Sequence, residues 1–285
     1  MEVKINQIIP GDCLESMKNI PDESADLVVT DPPFNIGKDY NSYKDKMKKE
    51  EYIKWCEKWL TECIRILKPE GTMFIYGFSE ILAHISVRIP LNKRWLIWCY
   101  TNKNMIFKRW MTWHYPTNTG MSPTNYTRSQ HSILFYTKTE KARWNKNHIS
   151  VPYRNPTDKR ILERIKNGSN GKTPYDVFHY NIVKNVNKDK TEHVCQLPIE
   201  LVETFIKASS NEGDLVFDPF MGSGTVAVAS KKLGRNYLGC EIDKYYCKII
   251  NERLAKVEKP LHNFTIEHTK KEHKSVTVEA ITSFL

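Results

Sequence analysis

The chain predicts an α/β fold built on a mostly parallel sheet, and three observations carry that expectation. Short β-branched runs alternate with segments of helical periodicity, as at residues 25–30, 49–67 and 72–76. Two of the strands run into loops that neither a ladder nor a helix continues, Asp31-Pro32-Pro33-Phe34 and residues 218–225. Finally, 285 residues that are 40% hydrophobic and 27% charged suit one soluble core with an insertion, and exclude two full enzymes, a disordered chain or a membrane protein.

In chain order, residues 4–10 alternate loosely and read as a short strand before Gly11-Asp12. Residues 25–30 are a compact β-branched strand that stops at Asp31, because neither following proline can donate a backbone hydrogen. Tyr52, Ile53, Trp55, Cys56, Trp59, Leu60, Cys63, Ile64 and Leu67 recur at helical spacing. Lys68-Pro69-Glu70-Gly71 closes that helix, and 72–76 begins another buried strand. From about 93 to 187 the pattern loosens. Residues 95–100 and 132–136 read as strands, 103–128 is rich in Trp, Tyr, Pro, Asn, Thr and basic residues, and 166–172 is loop. Order returns after Pro198 with a helix through Ile199, Leu201, Val202, Phe205 and Ile206. Then come a strand at 215–217, the glycine loop, a helix at 226–233, a strand at 236–240 capped by Glu241, and a helix to about 257. The expected organisation is a catalytic half (1–92), an insertion (93–189), a cofactor half (190–258) and a polar tail (259–285).

The net charge of +10 is unevenly placed. Residues 91–190 hold 19 Lys and Arg against 5 Asp and Glu, so the rest of the chain sums to −4. A basic middle in a slightly acidic body points to a polyanion-binding insertion. The chain start has no basic cap followed by an apolar stretch, and no apolar run approaches membrane-spanning length, so a cytoplasmic protein without membrane contact is expected. Cys13, Cys56, Cys63, Cys99, Cys195, Cys240 and Cys247 form no C-x-x-C pair and read as reduced core thiols, with no metal site expected. His84, His148, His179, His262, His268 and His273 read as isolated histidines.

Phe217-Asp218-Pro219-Phe220-Met221-Gly222-Ser223-Gly224-Thr225 stands between a strand and a helix, and Glu241 ends the next strand. Glycines let the backbone turn sharply against a ligand, while an acid at the neighbouring strand end can accept both hydroxyls of a ribose. Spacing alone would also suit a dinucleotide enzyme, although the third glycine position of that fingerprint holds Ala227. Asp31-Pro32-Pro33-Phe34 supplies the second signal. The lone pair of an aromatic amine is delocalised into its ring. A carboxylate and a proline-held carbonyl that each accept an amino hydrogen free that pair for attack on a sulfonium methyl, with no covalent enzyme intermediate. Phe34 offers a face for a base that has left the duplex.

On these two motifs the sequence resembles the amino-methylating DNA methyltransferases, in the group where the proline motif comes first and the cofactor motif last. The likeness covers roughly residues 4–90 and 190–257. It implies an S-adenosylmethionine-dependent Rossmann-like fold with a seven-stranded, mostly parallel sheet, a reversed terminal hairpin and an inserted target-recognition region. It also implies base flipping, with Asp31, Pro32, Pro33 and Phe34 as the catalytic loop. The resemblance places Asp218, Pro219, Phe220, Gly222, Ser223, Gly224 and Thr225 around the methionine part of the cofactor and Glu241 on its ribose. Asp12 and Cys13, in the Gly11-Asp12 segment, fall near its adenine ring. The family's H-P-T-Q-K-P appears here as His193-Val194-Cys195-Gln196-Leu197-Pro198, which keeps a cofactor-side role for Gln196 and removes the lysine.

In the insertion, Lys108, Arg109 and Arg128 are the cations expected to contact DNA phosphates. Asp at the head of the proline motif resembles the adenine-N6 enzymes, with cytosine-N4 methylation as the near alternative. An RNA methyltransferase, where N-P-P-Y is more usual, and a dinucleotide oxidoreductase are the more distant ones. The partners implied are double-stranded DNA, a cognate restriction endonuclease where the two are paired, and the homodimer that relatives of this group often form.

Overall fold

The computed structural model describes residues 4–37, 39–40, 43–86, 105–116, 123–183, 190–193 and 196–258. The strands are β1 (Gln7–Pro10), β2 (Ala25–Thr30), β3 (Asp39–Tyr40), β4 (Tyr43–Lys44), β5 (Leu67–Gly77), β6 (Ile106–His114), β7 (Gln130–Thr137), β8 (Val177–His179), β9 (Leu215–Asp218) and β10 (Asn236–Glu241). The helices are α1 (Cys13–Met17), α2 (Lys49–Ile66), α3 (Ser79–Ser86), α4 (Lys159–Lys166), α5 (Ile199–Ser209), α6 (Thr225–Lys232) and α7 (Lys244–Ala255). Eight of the strands form one sheet in the order β1-β10-β9-β2-β5-β7-β6-β8, while β3 and β4 pair apart from it. Within the eight, β7 alone runs against the rest.

The centre of the sheet is apolar on both faces because helices cover both. Along β2 and β5, Val28, Met73 and Ile75 face α2, which presents Tyr52, Cys56, Trp59, Leu60, Cys63 and Ile64. The alternate residues Leu27, Val29, Phe74 and Tyr76 face Leu201, Val202, Phe205 and Ile206 of α5. The expected closing turn after α2 takes another form. Helix α2 ends at Ile66, the extended backbone of its C-cap Leu67 starts β5, and residues 68–71 bulge out between the Ala25–Leu67 and Leu27–Thr72 pairings. Lys68 anchors that bulge by donating to both carboxylate oxygens of Asp26 at 2.8 Å.

The sheet has eight strands rather than the expected seven. The additional one, β8, is three residues long with an exposed–intermediate–exposed pattern, so no alternation announced it. It forms because the open edge of β6 offers backbone partners. Residues 106–114, inside the stretch expected to be irregular, are the long strand β6. The segment 93–189 therefore contributes β6, β7 and β8 to the central sheet. The strand expected at 95–100 and the tail 259–285 lie outside the described residues.

Chain connections leave β2 toward β5 on one side and pass from β9 to β10 on the other, so the direction of winding switches between β2 and β9. A crevice outside the carboxyl ends of the strands at such a switch point is where open α/β sheets bind ligands.

Candidate active site

Asp31 leaves β2 and Asp218 ends β9, on adjacent parallel strands. The cleft between them is lined by Gly11, Asp12 and Cys13 after β1, the loop Asp31-Pro32-Pro33-Phe34, Trp55 of α2, and the run from Asp218 to Ser223 with Thr225. Cys240 and Glu241 at the end of β10, Ile242 beyond it, and Val226, His193, Leu197 and Tyr246 complete the wall. Most of the cofactor residues expected from sequence thus share one cavity. Gln196 and Gly224 are not part of its lining. Gln196 is buried, and its Oε1 accepts hydrogen bonds from the Thr191 backbone N–H at 2.8 Å and hydroxyl at 3.0 Å.

The proline loop is held from below. Asn35 sits at φ 56°, a left-handed conformation that asparagine tolerates better than most residues. Its side chain bridges to Met47, whose N–H it accepts at 2.7 Å and whose carbonyl it donates to at 2.9 Å. The carboxylate of Asp45, 1% exposed, accepts the N–H groups of Asn35 at 2.7 Å and Ile36 at 2.9 Å. Tyr52 donates its hydroxyl to the Pro33 carbonyl at 2.7 Å. Sequence places Tyr52 only on the apolar face of a helix and gives Asn35 and Asp45 no part in the site. Asn35 adjoins the motif, but Asp45 reaches it only through tertiary contact.

Asp31 keeps partial exposure as a residue, yet its Oδ1 is shut off from solvent and has no hydrogen-bond partner. Burial, with the negative Asp218 nearby, pushes its carboxyl up to about 8. Asp218 is pushed up to about 7 by burial, although its Oδ1 accepts the Phe220 N–H at 3.0 Å. Glu241 likewise rises to about 7 by burial, with its two oxygens accepting the N–H groups of Gly222 at 2.7 Å and Asp243 at 2.9 Å. Three desolvated carboxyls therefore share a cleft in which, among the described residues, neither lysine nor arginine belongs to the lining. Such a cavity favours a cationic guest.

The turn at Gly222 and Gly224 has left-handed φ of 49° and 75°. A Cβ on Gly222 would come 2.7 Å from His193 Nε2, and one on Gly224 2.5 Å from Ile250 Cγ2. The turn is tied to α7 by Arg253, which donates to the Ser223 carbonyl, a contact that sequence gave no cue to. Asp12 caps α1 by accepting from Leu14 at 2.9 Å and Glu15 at 3.3 Å. Cys13 is buried, which raises its thiol pKa well above the ordinary range.

The three expected DNA cations are separated by the fold. Arg128 lies over Phe78, with its guanidinium 4.0 Å from the ring centroid and Nη2 2.9 Å from Glu80. Lys108 and Arg109 stand on β6, paired with Glu140 at 2.9 Å and Asp176 at 3.8 Å, beside a second cleft lined by Phe135, Trp144 and Phe178. His179 is not isolated as expected, because its Nδ1 lies 3.1 Å from Nδ1 of His114 on the neighbouring strand.

A profile for N6 and N4 amino-methylating enzymes, described as DNA methylase, matches residues 25–252. The chain belongs to this DNA methylase family. The methylase is 34% identical over 255 residues to the type II methyltransferase M.HpaI of Haemophilus parainfluenzae, covering 87% of this chain and 74% of that protein. It is 33% identical over 256 residues to the DNA adenine methyltransferase YhdJ of Escherichia coli K12, covering 87% and 82%. Among solved structures, the cytosine-N4-specific PvuII DNA methyltransferase superposes with a TM-score of 0.66 at 18% identity, covering 88% of this chain and 86% of that one. The M1.HpyAVI–SAM complex superposes with 0.58 at 22% identity, covering 87% and 98%. These likenesses establish the fold for the methylase. Among its described residues, no helix is long and apolar enough to cross a membrane.

Proposed function

We propose that the methylase transfers a methyl group from S-adenosylmethionine to the exocyclic N6 amino group of adenine in duplex DNA. The observation that carries this reading is the buried, unpartnered Oδ1 of Asp31 at the rim of a cleft with three raised carboxyls. A desolvated acceptor with no protein partner suits a donor supplied by the substrate. The cleft residues also fit the cofactor, since Asp218 and Glu241 suit its cationic and hydroxyl groups and the turn at Gly222 lets the backbone approach it.

When bound, S-adenosylmethionine supplies an electrophilic methyl on a positively charged sulfur. In this reading Glu241 would hold the ribose hydroxyls, and Asp218, Phe220 and the 222–225 turn would hold the methionine part. Asp12 and Cys13 lie by the adenine ring. The Pro33 carbonyl is already engaged by Tyr52, which leaves the Pro32 carbonyl to accept one amino hydrogen of the flipped base. Asp31 Oδ1, in the ionised form that a cationic guest in the cleft would favour, would accept the other amino hydrogen and take up the proton that the amino group gives off. A carboxyl held near neutrality is matched to that acceptance. Arg128, and farther out Lys108 and Arg109, contact phosphates.

Adenine is favoured by the aspartate at the head of the proline motif and by the likeness to a named DNA adenine methyltransferase. The cytosine-N4 reading draws on the fold shared with the PvuII enzyme. Incubating unmethylated DNA with the methylase and tritiated cofactor, then resolving the nucleosides by mass spectrometry, tests the proposal. N6-methyladenine is expected. Label in N4-methylcytosine overturns the base assignment, and no label in DNA overturns the reaction. Sequencing the modified positions identifies the recognition site, and a companion endonuclease would cut that site when it is unmodified.

A further inference from the structure

The ring expected to receive the flipped base is already covered. Phe34 is 3% exposed although it lines the cleft, with the Phe78 ring 4.8 Å away and tilted by 54° and His131 5.8 Å away edge-on. Phe78 follows the carboxyl end of β5, half-buried, and meets His131 at 4.9 Å. On Phe78 rests the guanidinium of Arg128, at 4.0 Å from the centroid, with its side chain 42% exposed and its Nη2 on Glu80. Beneath the column, His131 is enclosed by Trp113 at 5.2 Å and Tyr115 at 5.3 Å. Its Nδ1 lacks a partner, and burial lowers its pKa to about 4, so the floor is uncharged. The result is a column with a charged exposed top and a neutral packed base, and the catalytic loop's aromatic ring stands at its side.

Arginine stacked on a ring keeps N–H groups available for a phosphate, which it can bind through two parallel hydrogen bonds. A phosphate that draws Arg128 from Glu80 acts on Phe78, and through Phe78 on the ring that Phe34 offers to the base. We propose that Phe78 is a positioning residue of the methylase: with Arg128 stacked on it, it links capture of the DNA backbone to placement of the target base against Phe34. This rests on the reading of the chain as a base-flipping DNA methyltransferase.

The test uses the full chain with two duplexes: one carrying adenine at the methylated position found by sequencing, for turnover, and one with 2-aminopurine in its place, for base flipping. Phe78→Leu is expected to lower kcat at saturating DNA by about tenfold, with a parallel fall in 2-aminopurine fluorescence. Phe78→Tyr should restore both, and S-adenosylhomocysteine affinity should stay within about twofold. Arg128→Gln should act on the same step, so that the double variant is no worse than the poorer single one. Wild-type turnover and fluorescence in Phe78→Leu overturn the proposal. So does loss of S-adenosylhomocysteine binding along with turnover, which would make Phe78 a core residue only, and so do multiplicative effects of the two substitutions. If the wild-type chain itself transfers nothing to DNA, the functional reading has failed and not this inference alone.

Discussion

A polar oxygen buried without a partner costs folding free energy, and Oδ1 of Asp31 is such a group. It persists where the missing partner belongs to a substrate. Asp31→Ala should abolish methyl transfer, by about 1,000-fold or more, while S-adenosylhomocysteine affinity measured by calorimetry stays within a few-fold. Wild-type tritium incorporation by that variant would remove Asp31 from the mechanism. Proton linkage gives a second expectation at this scale. The folded free protein holds protons on Asp31 up to about 8 and on Asp218 and Glu241 up to about 7. Unfolded carboxyls ionise near pH 4. Between those limits the folded state binds more protons, so these groups make stability fall as pH rises through 7 to 8. His131, held neutral down to about 4, acts in the opposite sense only below its unfolded value. The melting temperature of the free protein should therefore drop by several degrees between about pH 6.5 and 8.5, and Asp31→Asn should flatten the slope.

Two elements, the proline loop and the glycine turn, depend on supports remote in sequence. Asp45 accepts two backbone N–H groups that orient the loop after Phe34. Asp45→Ala leaves those donors unpaired, and a loss of about 1–3 kcal/mol in urea unfolding is expected, with kcat falling more than cofactor affinity. An unchanged midpoint and kcat would show that the loop holds itself. The turn at Gly224 combines a left-handed φ of 75° with Ile250 at 2.5 Å from any added Cβ. Gly224→Ala should destabilise by about 1–3 kcal/mol and weaken S-adenosylhomocysteine binding, because α6 must shift away from α7.

Across the whole molecule, the three cations expected to contact DNA stand apart from one another. Arg128 stands over Phe78, while Lys108 and Arg109 lie on β6, three strands from β2. Each cation that meets a phosphate releases counterions, so the plot of log affinity against log salt records how many do. Arg128→Gln should weaken duplex binding and reduce the slope by about one. Neutralising Lys108 and Arg109 together should weaken it less than that single change, since both also face the acids Glu140 and Asp176. The reverse order, measured by fluorescence anisotropy over a salt series, would place the duplex on the β6 side.

The amino-acid sequence by itself determined the alternation of strand and helix, the two loops at strand ends and the acid at Glu241, because each is written locally. Periodicity marks an element's buried faces, prolines and glycines punctuate its end, and spacing fixes which strand a motif follows. Only the tertiary structure decided that β6, β7 and β8 join the central sheet, that Asp45 and Arg253 brace the two loops, and that Phe78 and Arg128 close over Phe34. Those relations join residues from 9 to 65 positions apart through edge pairing, hydrogen bonding and desolvation. Such forces act between chain segments and leave no periodic trace in either one. The raised carboxyls belong to the same class, since Asp31, Asp218 and Glu241 acquire their acidities from a burial that exists only once β2, β9 and β10 lie side by side.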